Sequence, residues 1–167
     1  MERLRTILAG LLVPEGISAL PTFGSKREVV EHLGRLAAVA AGVRPEHERA
    51  VLDALADREA ILSTGIGLGI GVPHVRHANV AREVMRVGRS REGLAFDSID
   101  GKPVFAVITI LMPSGNHRRH VEVRGAIAAA LKDAARREHV FAAPDAQAFV
   151  DRLLAIQHLK ALGLSLG

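Results

Sequence analysis

A chain of 167 residues, 49% of them apolar, has the length and composition of one globular domain and excludes intrinsic disorder. The absence of cysteine excludes disulfides, thiolate metal sites and a thiol nucleophile, and agrees with a cytoplasmic setting. Aromatics at 3%, with neither Trp nor Tyr, weaken any case for nucleobase stacking; a formal net charge of +4, carried mainly by arginine, fits an anionic partner or a solvated basic face.

The opening "MERLRTILAGLLVPEG" holds an apolar run too short to span a membrane and interrupted by Pro14 and Glu15, so no membrane insertion is expected. A signal peptide finds only weak support, since no small-residue cleavage site clearly follows. Ser25 and Glu28 form a capping box, and Val29, Val30, Leu33, Leu36, Ala37 and Ala40 recur behind it at helical spacing. Gly42 stops that helix. Pro45 opens a second helix with Ala50, Val51, Ala54 and Leu55 on its apolar stripe, ending near Asp57 and Arg58.

"STGIGLGIGVPHVRH", Ser63 to His77, follows. Glycines at 65, 67, 69 and 71 alternate with Ile66, Leu68, Ile70 and Val72. The period predicts an extended segment with every glycine on one face. A close-packed strand or a bulged hairpin is the alternative. A short strand is expected over Val84–Ser90, then a loop from Gly93 to Pro103 with a turn at Asp100-Gly101. "VFAVITILM", Val104 to Met112, reads as a central strand covered on both faces. Ser114 or Asn116 caps a helix from about His117 to Arg136, with Val121, Ile127, Ala128 and Leu131 inward. A last helix starts near Asp145, with Phe149, Val150, Leu153 and Leu154 inward. The tail from His158 to Gly167 is either loose or packed on a partner subunit, so a homodimer is left open. Helices and strands mix into a layered α/β sandwich.

Neither phosphate-loop pattern is present: no G-x-x-x-x-G-K-[ST] occurs, and the sixth position from Gly65 is Ile70 rather than glycine. A bare glycine face admits a bulky anion and leaves backbone N–H groups open to an oxyanion. Pro73 restrains the chain just before His74, whose neutral imidazole is a competent nucleophile with an ordinary pKa of about 6.5. His74 with His77, and His117 with His120, form two H-x-x-H pairs that would make a metal site if they converged. His77 and His117 are read instead as surface residues. No nucleic-acid motif is present.

"DREAILSTGIGLGIGVPH", Asp57 to His74, resembles the active-site signature of the enzyme IIA domains of the fructose–mannitol and nitrogen-regulatory branch of the phosphoenolpyruvate-dependent sugar phosphotransferase system. "AFDSIDGKPV" (Ala95 to Val104) and "VITILMPSGNHRRH" (Val107 to His120) are similar to later parts of that pattern, and the likeness runs from about Leu4 to Ile156. It implies an α/β fold over 1–167: a layered α/β/α sandwich with a mixed central sheet flanked by helices. It implies a phosphocarrier that accepts a phosphoryl group on His74 from a histidine phosphocarrier protein. The group then passes to a cysteine of a IIB domain or serves as a regulatory signal. A non-catalytic regulatory binding module is the alternative.

By the same resemblance Arg58 supports the site, since guanidinium binds phosphate bidentately. His120 matches the family's second histidine, in a first helical turn whose dipole favours anions. Thr64 and the backbone at Val75 would supply further donors. No cofactor or metal is implied. Two positions depart from the pattern: Glu122 stands where many relatives carry another histidine, and Gly71-Val72 replace Ala-Ile.

Overall fold

The computed structural model describes residues 2–23, 25–115 and 117–155. The expected cap at Asn116 and the tail from His158 lie outside the described residues.

Strand β6 (Val104–Pro113) is the hub of the sheet. On one side it pairs antiparallel with β5 (Val84–Leu94), which in turn pairs parallel with β1 (Ile17–Ala19). On the other side it pairs parallel with β3 (Ile70–Gly71) and β4 (His74–His77). β2 (Gly65–Gly67) closes that edge antiparallel to β3. The result is a mixed six-stranded sheet.

The near-unbroken apolar character of β6 follows from burial on both faces. Val107 and Leu111 enter one core, with Val29, Val30 and Leu33 of helix α2 (Lys26–Ala40) and Val51 and Leu55 of helix α3 (Pro45–Ile61). Ile108, Ile110 and Met112 enter the other. That second core is completed by α1 (Glu2–Ala9), α4 (His117–Leu131), α5 (Ala134–Phe141) and α6 (Ala146–Leu154). The layered α/β/α sandwich expected from the sequence is present. No helix among the described residues is long and apolar enough to cross a membrane.

Local rules hold at the helix starts. Ser25 Oγ accepts from the Glu28 amide at 3.3 Å, and Asp145 caps α6 through the Ala148 amide at 2.8 Å. Gly42 takes the left-handed conformation after α2 (φ 72°), and Pro45 opens α3. Four details differ. α3 runs on to Ile61, which places Arg58 in its last turn rather than at its end. Leu36 and Ala50 are exposed, because the buried stripes are set by Ala37–Ala38 and Val51–Leu52 instead. The long helix expected to reach Arg136 is two helices, since Asp133 starts α5 by accepting from the Arg136 amide at 2.7 Å. In α4 the inward face is Val123, Ala126, Ile127, Ala130 and Leu131; Val121 and Ala128 face out. α1, read from sequence only as a short apolar run, contributes Ile7 and Leu8 to the core.

The glycine ladder is not one strand. It is the bulged hairpin: β2 runs out, Leu68 and Gly69 turn, and β3 returns with Gly71 opposite Gly65. The glycines split between two needs. Gly67 and Gly69 hold positive φ (80° and 75°). Gly65 and Gly71 allow close approach: a Cβ would lie 2.7 Å from Ser98 Cα at the first and 2.7 Å from the Phe96 ring at the second. Leu68 also takes positive φ (62°), and its amide donates to Asp100 Oδ2 at 3.0 Å. The Gly67 amide donates to Ser98 Oγ at 3.1 Å. The 96–101 loop therefore fastens the hairpin.

Past the hairpin, β3 and β4 follow β6 in one register, from Ile70 opposite Ala106 to His77 opposite Pro113. Only Val72-Pro73 interrupts it. His74 lies opposite Ile110, so its side chain falls on the face that α4 covers.

Substituting Gly71 by Ala forces a Cβ into the Phe96 ring. The urea midpoint is expected to fall with the slope m unchanged, a loss of about 1–3 kcal/mol. An unaltered midpoint would show that the contact relaxes without cost.

Candidate functional site

His74 opens β4 and is 5% exposed. Its Nδ1 lies 2.7 Å from the Val72 carbonyl oxygen. A carbonyl only accepts, so Nδ1 carries the proton and Nε2 keeps its lone pair. His120 stands in the first turn of α4, 7% exposed, with its ring centroid 5.0 Å from that of His74 and the planes at 56°. Arg119 fixes that turn: its Nε donates to Glu83 at 3.0 Å and its Nη2 to the Ile7 carbonyl at 3.1 Å. Helix α1 and the residue just before β5 thus set where His120 stands.

A cleft of about 410 Å³ opens beside both rings. Arg58, Arg76 and Arg124 line it together with Val75 and His117, and no carboxylate does. A second groove of about 660 Å³ adjoins it, sharing Arg58, His74 and Arg124 and walled by Leu62, Ile66 and Val121. Arg58 donates to the Leu62 carbonyl at 3.0 Å, which turns its guanidinium across the end of α3. Among the described residues, neither Arg58 nor Arg124 pairs with a carboxylate.

Burial pushes the His74 pKa down to about 4, with Arg124 and Arg58 lowering it further against the Val72 hydrogen bond. His120 is also pushed down to about 4, by burial first, then by His74 and Arg124. Arg124 itself lies below its ordinary value through burial and the nearby Arg58. Both imidazoles are neutral at about pH 7 on these shifts, and the guanidinium groups stay charged.

The five residues singled out from sequence fall in two adjoining cavities. His74, His120, Arg58 and Val75 line one cleft. Thr64 lines the adjoining groove, with its hydroxyl proton committed to Glu59 Oε2 at 2.5 Å. Val75 sits in the β4–β6 ladder opposite Leu111. Arg76 and Arg124 were missed as site residues. Arg124 lies one helical turn beyond His120, a spacing that places both on one face of α4 and was legible in advance. Glu122 points elsewhere: it pairs with Arg118 at 3.3 Å and lines neither cavity. The H-x-x-H pairs do not converge. His77 Nδ1 accepts from the Asn79 amide at 3.1 Å, and among the described residues no group of three or more His, Asp or Glu could hold a metal ion.

A mixed sheet that seats a pinned, neutral histidine at the mouth of a carboxylate-free arginine cleft defines a class of anion-handling α/β domain. Comparison with known families makes it specific: residues 11–156 match the family described as phosphoenolpyruvate-dependent sugar phosphotransferase system, EIIA 2, and the chain belongs to that family. It is 35% identical over 132 residues to a PTS system fructose-specific EIIA component from Haloferax volcanii, covering 79% of this chain and 84% of that protein. The solved nitrogen regulatory protein IIA-Ntr from Neisseria meningitidis superposes with a TM-score of 0.79 at 30% identity, over 88% of this chain and 99% of that one. A complex of enzyme IIAMTL and phosphorylated enzyme IIBMTL from Escherichia coli shares the fold, with a TM-score of 0.70 at 23% identity, over 86% of this chain and 96% of that one.

The histidine shifts carry a pH dependence. Between about pH 6.5 and pH 4 the unfolded chain binds protons that buried His74 and His120 refuse, so their contribution is intact above about 6.5 and is lost as pH falls toward 4. Urea melts at neutral pH and at about pH 4.5 should show a steeper acid loss for the native chain than for His74→Gln/His120→Gln. Equal losses would place both pKa values near the ordinary one.

Proposed function

We propose that this protein is a phosphoryl carrier in which His74 Nε2 is the acceptor. The observation that carries the reading is the hydrogen bond that holds the proton on Nδ1 and leaves Nε2 as a lone pair beside three arginines. The donor is a phosphohistidine-bearing phosphocarrier protein. Nε2 attacks the phosphorus in line, a new N–P bond forms, and the N–P bond to the donor imidazole breaks with its electron pair staying on that nitrogen. The donor, protonated on its other ring nitrogen, leaves as neutral imidazole, and the positive charge passes to the phosphorylated His74 ring. No proton has to move, because His74 keeps Nδ1–H on the Val72 carbonyl throughout.

Arg58 and Arg124 neutralise the equatorial oxygens where charge has to be met. His120, its ring 5.0 Å from that of His74, presents its imidazole to the same oxygens. Thr64 holds the hairpin, its hydroxyl donated to Glu59 rather than to the phosphoryl group, and Val75 walls the cleft. Membership of the EIIA 2 family and the likeness to a IIA domain solved with phosphorylated IIB support onward transfer to a cysteine of a IIB domain. This chain has no cysteine, so the acceptor thiol belongs to another domain or protein. The likeness to IIA-Ntr favours a second use of the same chemistry, in which the phosphorylation state of His74 governs binding to a regulated protein.

Incubation with phosphoenolpyruvate, enzyme I and a phosphocarrier should add one acid-labile phosphate, absent from His74→Ala. Stable labelling of that variant would move the acceptor to another residue. Arg124→Ala should fold normally and slow transfer about tenfold or more, as loss of one charge-stabilising donor does. Adding a IIB domain separates the two uses: loss of label to its cysteine marks transport, and retained label marks regulation.

A further inference from the structure

The side chains beneath the glycine hairpin form a chain of hydrogen bonds that ends on His74. Glu59 is the centre of it, a carboxylate 7% exposed. Lys26 Nζ, at the start of α2, donates to Glu59 Oε1 at 2.7 Å and to Ser63 Oγ at 2.9 Å. The Thr64 amide donates to Glu59 Oε1 at 2.8 Å, and the Thr64 hydroxyl donates to Oε2 at 2.5 Å. Thr64 then passes the constraint on: its carbonyl accepts from the Val72 amide at 3.0 Å. The Val72 carbonyl accepts from His74 Nδ1 at 2.7 Å. Both polar groups of Val72 are thereby used, one toward Glu59 and one toward the imidazole.

We propose that Glu59, with Lys26 as its counter-ion, is a positioning residue that sets the tautomer and orientation of His74 through Thr64 and Val72. This rests on the reading of His74 as the phosphoryl acceptor. Two features separate it from an ordinary structural ion pair. The first is the terminus of the chain, the ring nitrogen whose proton decides which nitrogen attacks. The second is its place beside Arg58. Successive residues of a helix point about 100° apart, so the last turn of α3 sends a cation into the cleft and a carboxylate under the hairpin. A buried carboxylate with an amide, a hydroxyl and an ammonium on it also resists rearrangement, because removing any partner leaves charge without compensation. Lys26 is held in turn, 5.0 Å over the Phe96 ring and 3.6 Å from Asp97, so the counter-ion cannot swing away freely.

Glu59→Gln tests it. The amide keeps the shape and one acceptor oxygen but loses the Lys26 ion pair and the second acceptor that Thr64 uses. Imidazole 15N NMR at neutral pH should show His74 as the Nδ1–H tautomer in the native chain and a mixture with Nε2–H in the variant. Phosphoryl transfer should lose about tenfold in kcat with KM for the phosphocarrier within about twofold, the signature of a misplaced group rather than a lost docking contact. Should Glu59→Gln fail to fold, Lys26→Met is expected to shift the His74 nitrogens in the same direction. Native His74 nitrogen shifts in a folded variant would overturn the proposal. The NMR readout needs no phosphoryl donor, so a native chain that takes no label on His74 would remove the acceptor reading alone and leave the positioning role to be decided by the nitrogen shifts.

Discussion

The hydrogen bond from His74 Nδ1 to the Val72 carbonyl is the interaction on which the site depends. It spans only two residues, so it can form only if the chain between them is held in one conformation. Pro73 fixes one dihedral there. The pairing of β3 and β4 along β6 holds the strands on either side of it, since the register is the same before and after the interruption, and the Val72 amide is tied to the Thr64 carbonyl at 3.0 Å. The ring nitrogen is therefore oriented with a strand buried on both faces as the reference. A histidine on a surface loop would sample both tautomers; this one has its proton assigned by the fold.

Burial serves the same end by a different route. A half-exposed imidazole near several arginines would still carry a proton part of the time below neutrality. Burial of His74 and His120 lowers both pKa values, and Arg124 lowers both further while remaining charged itself. The site thus holds cations and a neutral imidazole with a free lone pair within one cleft. Only groups with widely separated intrinsic pKa values can coexist this way.

Much of this was legible in the sequence, and the failures have physical causes. The capping box at Ser25, the doubly buried β6 and the proline at the start of α3 are local signals that the tertiary structure did not override. The glycine ladder misled because a two-residue period is shared by a flat strand and a tight hairpin. What decides between them is the non-local contact of Gly65 with Ser98 and Gly71 with Phe96, and neither partner is visible from the ladder alone. The facing of α4 was misjudged for a related reason. Val121 and Ala128 are apolar but wall the groove beside His74, so their chemistry was read as core when it belongs to the site. His74 was singled out by its place after the glycine ladder and Pro73, and Arg58 and His120 through a resemblance; Arg124 needed only the helical spacing from His120. Glu59 stood in the quoted motif throughout, and its partner Lys26 and the Val72 that it reaches through Thr64 lie far from it in sequence, so its linkage to His74 appears only once the hairpin is folded.

The two departures from the family pattern become intelligible from the same geometry. Glu122 sits on a face of α4 that neither cavity touches and is matched by Arg118 one turn earlier, so its charge does not enter the cleft. Gly71 is a packing choice rather than a change to the chemistry. The Phe96 ring lies where a side chain at position 71 would begin, and Phe96 in turn lies under the Lys26 ammonium that holds Glu59. A larger residue at 71 would have to displace the ring, and with it the cation that anchors the hairpin. The glycine, the aromatic and the lysine form one packed unit, and the orientation of His74 is what that unit preserves.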